Sequence, residues 1–194
     1  NYSSGKMGYA LAEAALIAGA QVTLISGPSA LSASNGIELI KVDSANEMYE
    51  SVMEHLIPGC IFIGTAAVAD YQIQAPAKDK VKKKDHAELS LQLVRTKDIL
   101  TAVAASGKAS FVVGFAAETN NLVDYAKDKL QRKKLDMVVA NLVGKNLGFD
   151  QDVNQVTIIT KNKQLDLSLS HKTRLAGQII AILAATLQNG THEH

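Results

Sequence analysis

SFVVGFAAETNNLVDYAKDKLQRKKLDMVVAN, residues 110–141, places two apolar, β-branched runs on either side of a charged segment with helical spacing. Short apolar runs bounded by Gly, Ala or Asn read as buried strands, and the charged interval between them reads as a helix. Strands alternating with helices of about ten to fifteen residues make βαβ units, which build a parallel sheet covered by helices on both faces.

The same pattern extends outward from this unit. CIFIGTAAV (60–68) is a strand-to-loop passage of the same type as SFVVGFAA, an apolar run followed by Gly and alanines. Ahead of it, GIELIKV (36–42) leads into SANEMYESVMEHL (44–56), where Ser44 and Glu47 have capping-box spacing. Gly5 to Gly19 carries small and apolar residues at helical spacing, and QVTLIS (21–26) then reads as a strand. Downstream, VNQVTIITKN (153–162) and KQLDLSLS (163–170) alternate as a hairpin turning at Asn162 and Lys163, and HKTRLAGQIIAILAATLQ (171–188) makes a closing helix. The fold class that follows is α/β, a Rossmann-like doubly wound, mainly parallel sheet with a C-terminal antiparallel hairpin. SSGKMG, opening the first helix, resembles loops that follow a strand, so a first strand is expected ahead of Asn1, outside this chain.

The 194 residues are one domain, spanning 1–190 with a tail at 191–194. A hydrophobic fraction of 47% and a charged fraction of 20% are those of a soluble globular protein, and no apolar run is long enough to span a membrane. A net charge of +1 gives no global field for nucleic acid or membrane. The single cysteine, Cys60, forms no internal disulfide, which suits a reducing compartment and makes the cytoplasm the expected location. Two local basic clusters stand out: KDKVKKK (78–84) and KDKLQRKK (127–134).

In a doubly wound sheet, ligands bind beyond the carboxyl ends of the strands. The loops there are TAAVADY, RTKD after LSLQLV, AAETNN and NLVGKN, joined by SSGKMG. Ser3, Ser4, Gly5 and Lys6 open a helix, where backbone N–H groups and the helix dipole favour an anion; a plain helix cap with a solvent-facing Lys6 is the alternative. The lysine run reads either as a solvated charge cluster or as a cationic flap over about 74–88 that closes on a polyphosphate. Lys129 and Lys133 are spaced i, i+4 and share a helix face with Tyr125, one turn earlier. Asp70, at a strand end, could accept ribose hydroxyls or help hold a metal ion, with a turn or helix cap as the alternative. The histidines show no metal-ligand spacing, and Cys60 reads as a core residue.

NYSSGKMG, GTAAVADY, KVKK, VVGFAAETNN, YAKDKLQRKKLD and VVAN, in this order, resemble the phosphopantothenoylcysteine synthetase (phosphopantothenate-cysteine ligase) domain of bacterial coenzyme A biosynthesis. The resemblance implies a CTP-dependent ligase that activates the carboxylate of 4'-phosphopantothenate as an acyl-cytidylate and lets the amine of L-cysteine displace CMP. It implies that Asn1 contacts the acyl group and that Lys80, first lysine of KVKK, binds the triphosphate and stabilises the nucleotidyl-transfer transition state. It further implies nucleotide contacts at Ala66, Asp70, Phe115, Lys129 and Lys133. The family carries Asn-Pro-Asp-Ile where this chain has Thr96, Lys97, Asp98 and Ile99, a loop whose backbone is expected to reach the cytosine. Mg²⁺ accompanies CTP, with protein ligands unknown, and FMN belongs only to a fused decarboxylase domain outside this chain. A homodimer closed across the C-terminal hairpin is expected. Two other readings stand beside this one: a nicotinamide-dependent oxidoreductase using Tyr125 and Lys129, and a non-catalytic nucleotide-binding module indifferent to Lys80.

Overall fold

The computed structural model describes residues 3–77, 79, 90–118, 120–142 and 153–190. The chain runs α1 (Lys6–Ile17), β1 (Val22–Ser26), β2 (Ile37–Lys41), α2 (Ala45–His55), β3 (Ile61–Gly64), β4 (Tyr71–Ile73), β5 (Leu93–Arg95), α3 (Ile99–Ser106), β6 (Phe111–Glu118), α4 (Leu122–Arg132), β7 (Met137–Leu142), β8 (Val153–Thr160), β9 (Gln164–His171) and α5 (Lys172–Gly190). The central sheet has five strands in the order β3-β6-β7-β8-β9. Its β3, β6 and β7 are parallel, and β8 and β9 add on antiparallel to complete the mixed sheet expected from the sequence. β1 and β2 form a separate parallel pair.

Period-2 alternation of side chains assigns the strand residues to two layers. Val113, Met137 and Val139 pack with Leu11 of α1 and with Leu175, Ile179 and Leu183 of α5. Their neighbours Val112, Val138 and Ala140 pack with Met48 and Val52 of α2, Val103 of α3 and Leu130 of α4. Helices therefore cover both faces, as the near-continuous apolar runs of β6 and β7 require. Ile25 and Ile40 pack against the second layer beside Phe62, so the β1–β2 pair shares that core without hydrogen-bonding to the larger sheet.

α2 starts where the capping box places it. Ser44 Oγ accepts the Glu47 N–H at 3.2 Å, while the Glu47 carboxylate reaches one residue further back and accepts the Asp43 N–H at 2.7 Å. The hairpin also forms, with the Thr160 N–H donating to the Lys163 carbonyl at 2.9 Å.

The run LSLQLV corrects the expectation of another sheet strand. Only Leu93–Arg95 is extended in β5, and it pairs antiparallel with β4 in a ribbon apart from the main sheet. The reason is burial: Leu91 and Leu93 are more than half exposed, whereas a parallel strand needs both faces covered. Asn1, Lys80, most of the 74–88 flap, VGKN of the loop after β7 and the 191–194 tail lie outside the described residues.

Candidate functional site

The α1 end of the site depends on a glycine. A Cβ on Gly8 would stand 2.8 Å from Thr65 Oγ1, so its absence lets the first turn of α1 sit against the loop that leaves β3. Gly5 is the N-cap in a left-handed conformation and supplies no capping side chain. Together these elements frame a cavity of about 370 Å³ lined by Ser3, Gly5, Gly8, Ser26, Thr65 and Ala66 among others. On its wall the Tyr9 hydroxyl donates to Ser26 Oγ at 3.2 Å, and Ser26 in turn donates to the Gly27 carbonyl at 2.9 Å. Ser4 is half-buried in the same loop. Lys6 faces elsewhere, lining a neighbouring groove with Glu13, Ser32, His171 and Lys172.

From this cavity the loop after β3 continues to Asp70, which is exposed. Thr96 ties down its backbone twice: its N–H donates to the Asp70 carbonyl at 2.9 Å and its hydroxyl to the Ala69 carbonyl at 2.6 Å. Lys97 turns away and stacks over the Tyr49 ring of α2, 4.5 Å from the centroid. Ile99 is the first residue of α3 and packs into the second apolar layer.

α3 is seated by Leu100. Gly64 and Gly114 are register partners on β3 and β6, and a Cβ on either would press on the Leu100 side chain, at 3.0 Å and 3.3 Å respectively. The bare backbone at both positions lets the N-terminus of α3 come down onto the sheet beside Phe115. Asp98 caps that helix, with Oδ1 accepting the Thr101 N–H at 3.1 Å. Its Oδ2 lies 2.8 Å from Lys133 Nζ. One turn earlier on α4, Lys129 donates to the Phe115 carbonyl.

Thus Asp98, Phe115, Lys129 and Lys133, all named from the sequence, meet in one cluster, and Thr96, two residues before Asp98, ties that segment to the backbone of Asp70. Burial and the neighbouring Lys133 charge hold Lys129 below the usual lysine range, against the opposing pull of Glu118 and Asp98. Burial pushes the Asp98 carboxyl up, but the hydrogen bond from Lys133, the Thr101 N–H and the Lys133 charge outweigh it and leave the group below the ordinary aspartate range. Tyr125 is exposed, while Lys129 is half-buried and committed to a backbone carbonyl. Among the described residues no group of three or more His, Cys, Asp or Glu side chains is placed to hold a metal ion. The tie made by Thr96 and the seat made by Gly64 and Gly114 were not legible as site features. The repeated apolar-run-then-Gly pattern of β3 and β6 was the visible trace of the second.

Residues 1–187 match the family described as the DNA/pantothenate metabolism flavoprotein C-terminal domain. The chain is 47% identical over 183 residues to the coenzyme A biosynthesis bifunctional protein CoaBC of Vibrio parahaemolyticus, covering 93% of this chain and 46% of that protein. It is 44% identical over 188 residues to the CoaBC of Bacillus subtilis, covering 95% and 46%. The chain therefore spans about half the length of these relatives. Among solved structures, the C-terminal domain of a CoaBC superposes with a TM-score of 0.81 at 36% identity, covering 97% of this chain and 86% of that one. A Cab2 H337A mutant in complex with phosphopantothenate-cysteine shares the fold, with a TM-score of 0.72 at 17% identity and coverage of 98% and 81%. With a match from the first residue through nearly all of α5, the chain belongs to the DNA/pantothenate metabolism flavoprotein C-terminal domain family.

Proposed function

We propose that this chain carries the phosphopantothenate-cysteine ligase activity of a coenzyme A biosynthesis protein. The observation that carries the reading is the pair of lysines, Lys129 held on the Phe115 carbonyl of β6 and Lys133 on the Asp98 carboxylate, two residues beyond Thr96, which ties down the loop of Asp70. Two ammonium groups one turn apart, half-buried and next to a helix N-terminus, suit a polyphosphate. Asp70, exposed on the loop that Thr96 ties down, suits the hydroxyls of a ribose.

In the first step a carboxylate oxygen of 4'-phosphopantothenate attacks the α-phosphorus of CTP, forming the acyl-cytidylate as the bond to pyrophosphate breaks. Lys129 and Lys133 bind the β- and γ-phosphates and offset the charge that gathers on the departing pyrophosphate. Lys80 adds a third ammonium to the triphosphate, and Asn1 donates to the acyl oxygen. In the second step the cysteine amine attacks the acyl carbon, the amide forms as the nitrogen gives up a proton to water, and CMP leaves with its bonding electron pair. Holding the reactants in one site makes each displacement effectively intramolecular. Mg²⁺ would accompany CTP, held by phosphate oxygens and water beside Lys129 and Lys133, and would supply further charge neutralisation on the triphosphate. The cytosine lies against the backbone of Thr96 to Ile99, and the cavity beside Ser3, Gly5 and Ala66 receives the remaining substrate groups. The chain acts in the cytoplasm as a homodimer through the β8–β9 edge.

The oxidoreductase reading has less support, because the exposed Tyr125 and the carbonyl-bound Lys129 form no proton-transfer pair. The deciding experiment pairs thermal shifts with turnover. Ligand that binds only the folded state raises apparent stability, so Mg·CTP is expected to stabilise the chain where NADH and NADPH do not. With 4'-phosphopantothenate and L-cysteine present, pyrophosphate and CMP should then appear in equal amounts. Lys80→Gln should abolish most turnover while nucleotide binding falls less. Stabilisation by a nicotinamide cofactor alone would overturn the ligase reading, and a Lys80→Gln variant with full turnover would remove that residue from the mechanism.

A further inference from the structure

The Asp98 carboxylate performs two separable tasks. Capping α3 requires only an acceptor, which Asn or Ser supplies equally well. Pairing with Lys133 Nζ at 2.8 Å requires the charge. That second task has an electrostatic reason. Lys129 and Lys133 stand one turn apart on α4, where like charges repel, and both are half-buried, where ammonium groups are poorly solvated.

Among the described residues the surroundings of the pair offer little compensation. Glu118, at the end of β6, and Asp98 favour the charge on Lys129, while Lys133 and Arg132 oppose it. Arg132 is itself paired outward, 3.2 Å from Asp128. The strands β7 and β8, which also pack against α4, contain no titratable residue. Among the described residues Asp98 is thus the acid that pairs with Lys133, while Lys129 beside it is held on the Phe115 carbonyl.

We propose that Asp98 is a positioning residue for phosphate capture: its carboxylate holds Lys133 beside Lys129 before nucleotide binds and yields Lys133 to a phosphate oxygen when it does. The proposal rests on the nucleotide-binding reading above and adds a role for the Asp98 side chain beyond its loop backbone. It predicts a pH signature. Affinity for a polyphosphate requires a charged Lys129, whose pKa is lowered by burial and by the Lys133 charge, and falls as rising pH removes that charge. Removing the Asp98 charge leaves Lys129 with one fewer favourable neighbour, so that loss should begin at lower pH.

The test measures the dissociation constant of Mg·CTP by calorimetry across neutral to alkaline pH for the parent chain, Asp98→Asn and Asp98→Ser. Both substitutions keep a capping acceptor and remove the charge, so failure of one to fold leaves the other to decide. Both are expected to bind at neutral pH, with the alkaline loss of affinity moved down by roughly half a pH unit or more. Asp98→Glu should restore part of the shift. Variants that bind with the parent's pH profile would overturn the proposal and reduce Asp98 to a helix cap. A parent chain that binds no Mg·CTP at any pH would instead overturn the nucleotide reading itself, and the hand-over of Lys133 with it.

Discussion

Asp98 and Lys129 show how one small cluster of charges sets opposite pH dependences at the two ends of the scale. The Asp98 carboxyl is held below its ordinary range by Lys133 and the Thr101 N–H, so its contribution is present above the unfolded value and is lost as acid titrates the folded group. Below about pH 4 the parent should therefore lose stability relative to Asp98→Asn, measured by urea unfolding at a series of acid pH values. Lys129 runs the other way. Burial and Lys133 lower it, so the folded state carries a charged group at a cost that is relieved as pH rises toward about 10. The stability of the parent should rise relative to Lys129→Met between neutral and alkaline pH, and an unchanging difference would mean that the lysine is fully solvated. Asp98→Ala should also lose the cap, at about 1 kcal/mol. The identity of these residues was readable from family resemblance, and the shared helix face of Lys129 and Lys133 from their i, i+4 spacing. Their mutual arrangement with Asp98 was not, since a contact spanning a strand and two helices leaves no local pattern.

At the scale of elements, α2 and α3 contrast in what their starts reveal. The Ser44–Glu47 pattern is local, with all partners within four residues, and the structure realises it with Glu47 drawn onto the Asp43 N–H. Ser44→Ala should cost about 1 kcal/mol in chemical denaturation. The seat of α3 depends on two glycines fifty positions apart that become neighbours only through the β3–β6 register. Gly114→Ala would place a Cβ 2.8 Å from a methyl of buried Leu135 and 3.3 Å from Leu100. Overpacking of that kind should cost about 1–3 kcal/mol. It should also weaken Mg·CTP binding, because α3 carries Asp98 at its start; a destabilised variant with unchanged affinity would uncouple the seat from the site.

For the whole molecule, β9 is the outer strand of the sheet, eight residues long, with Leu165 46% and Leu169 55% exposed. A long apolar edge is a template for another strand. The chain is expected to sediment as a dimer, and Leu169→Lys to shift it toward monomer. A Leu169→Lys dimer that dissociates on Leu93→Lys would move the interface to the β4–β5 ribbon, whose Tyr71, Ile73 and Leu93 are also exposed.

Local patterns along the chain determined the alternation of strands and helices, the α2 cap, the C-terminal hairpin and the parallel character of the core. Each of these follows from spacing within one or two elements. Only tertiary structure decided that LSLQLV leaves the sheet, because its burial depends on what covers it, and among the described residues no helix lies over that ribbon as one lies over β6 and β7. Tertiary structure also decided that Thr96 would anchor Asp70, that Lys97 would turn to Tyr49, and that Lys133 would meet a carboxylate rather than water. Those pairings join residues dozens of positions apart, and their energies exist only once the sheet register has brought the backbone together.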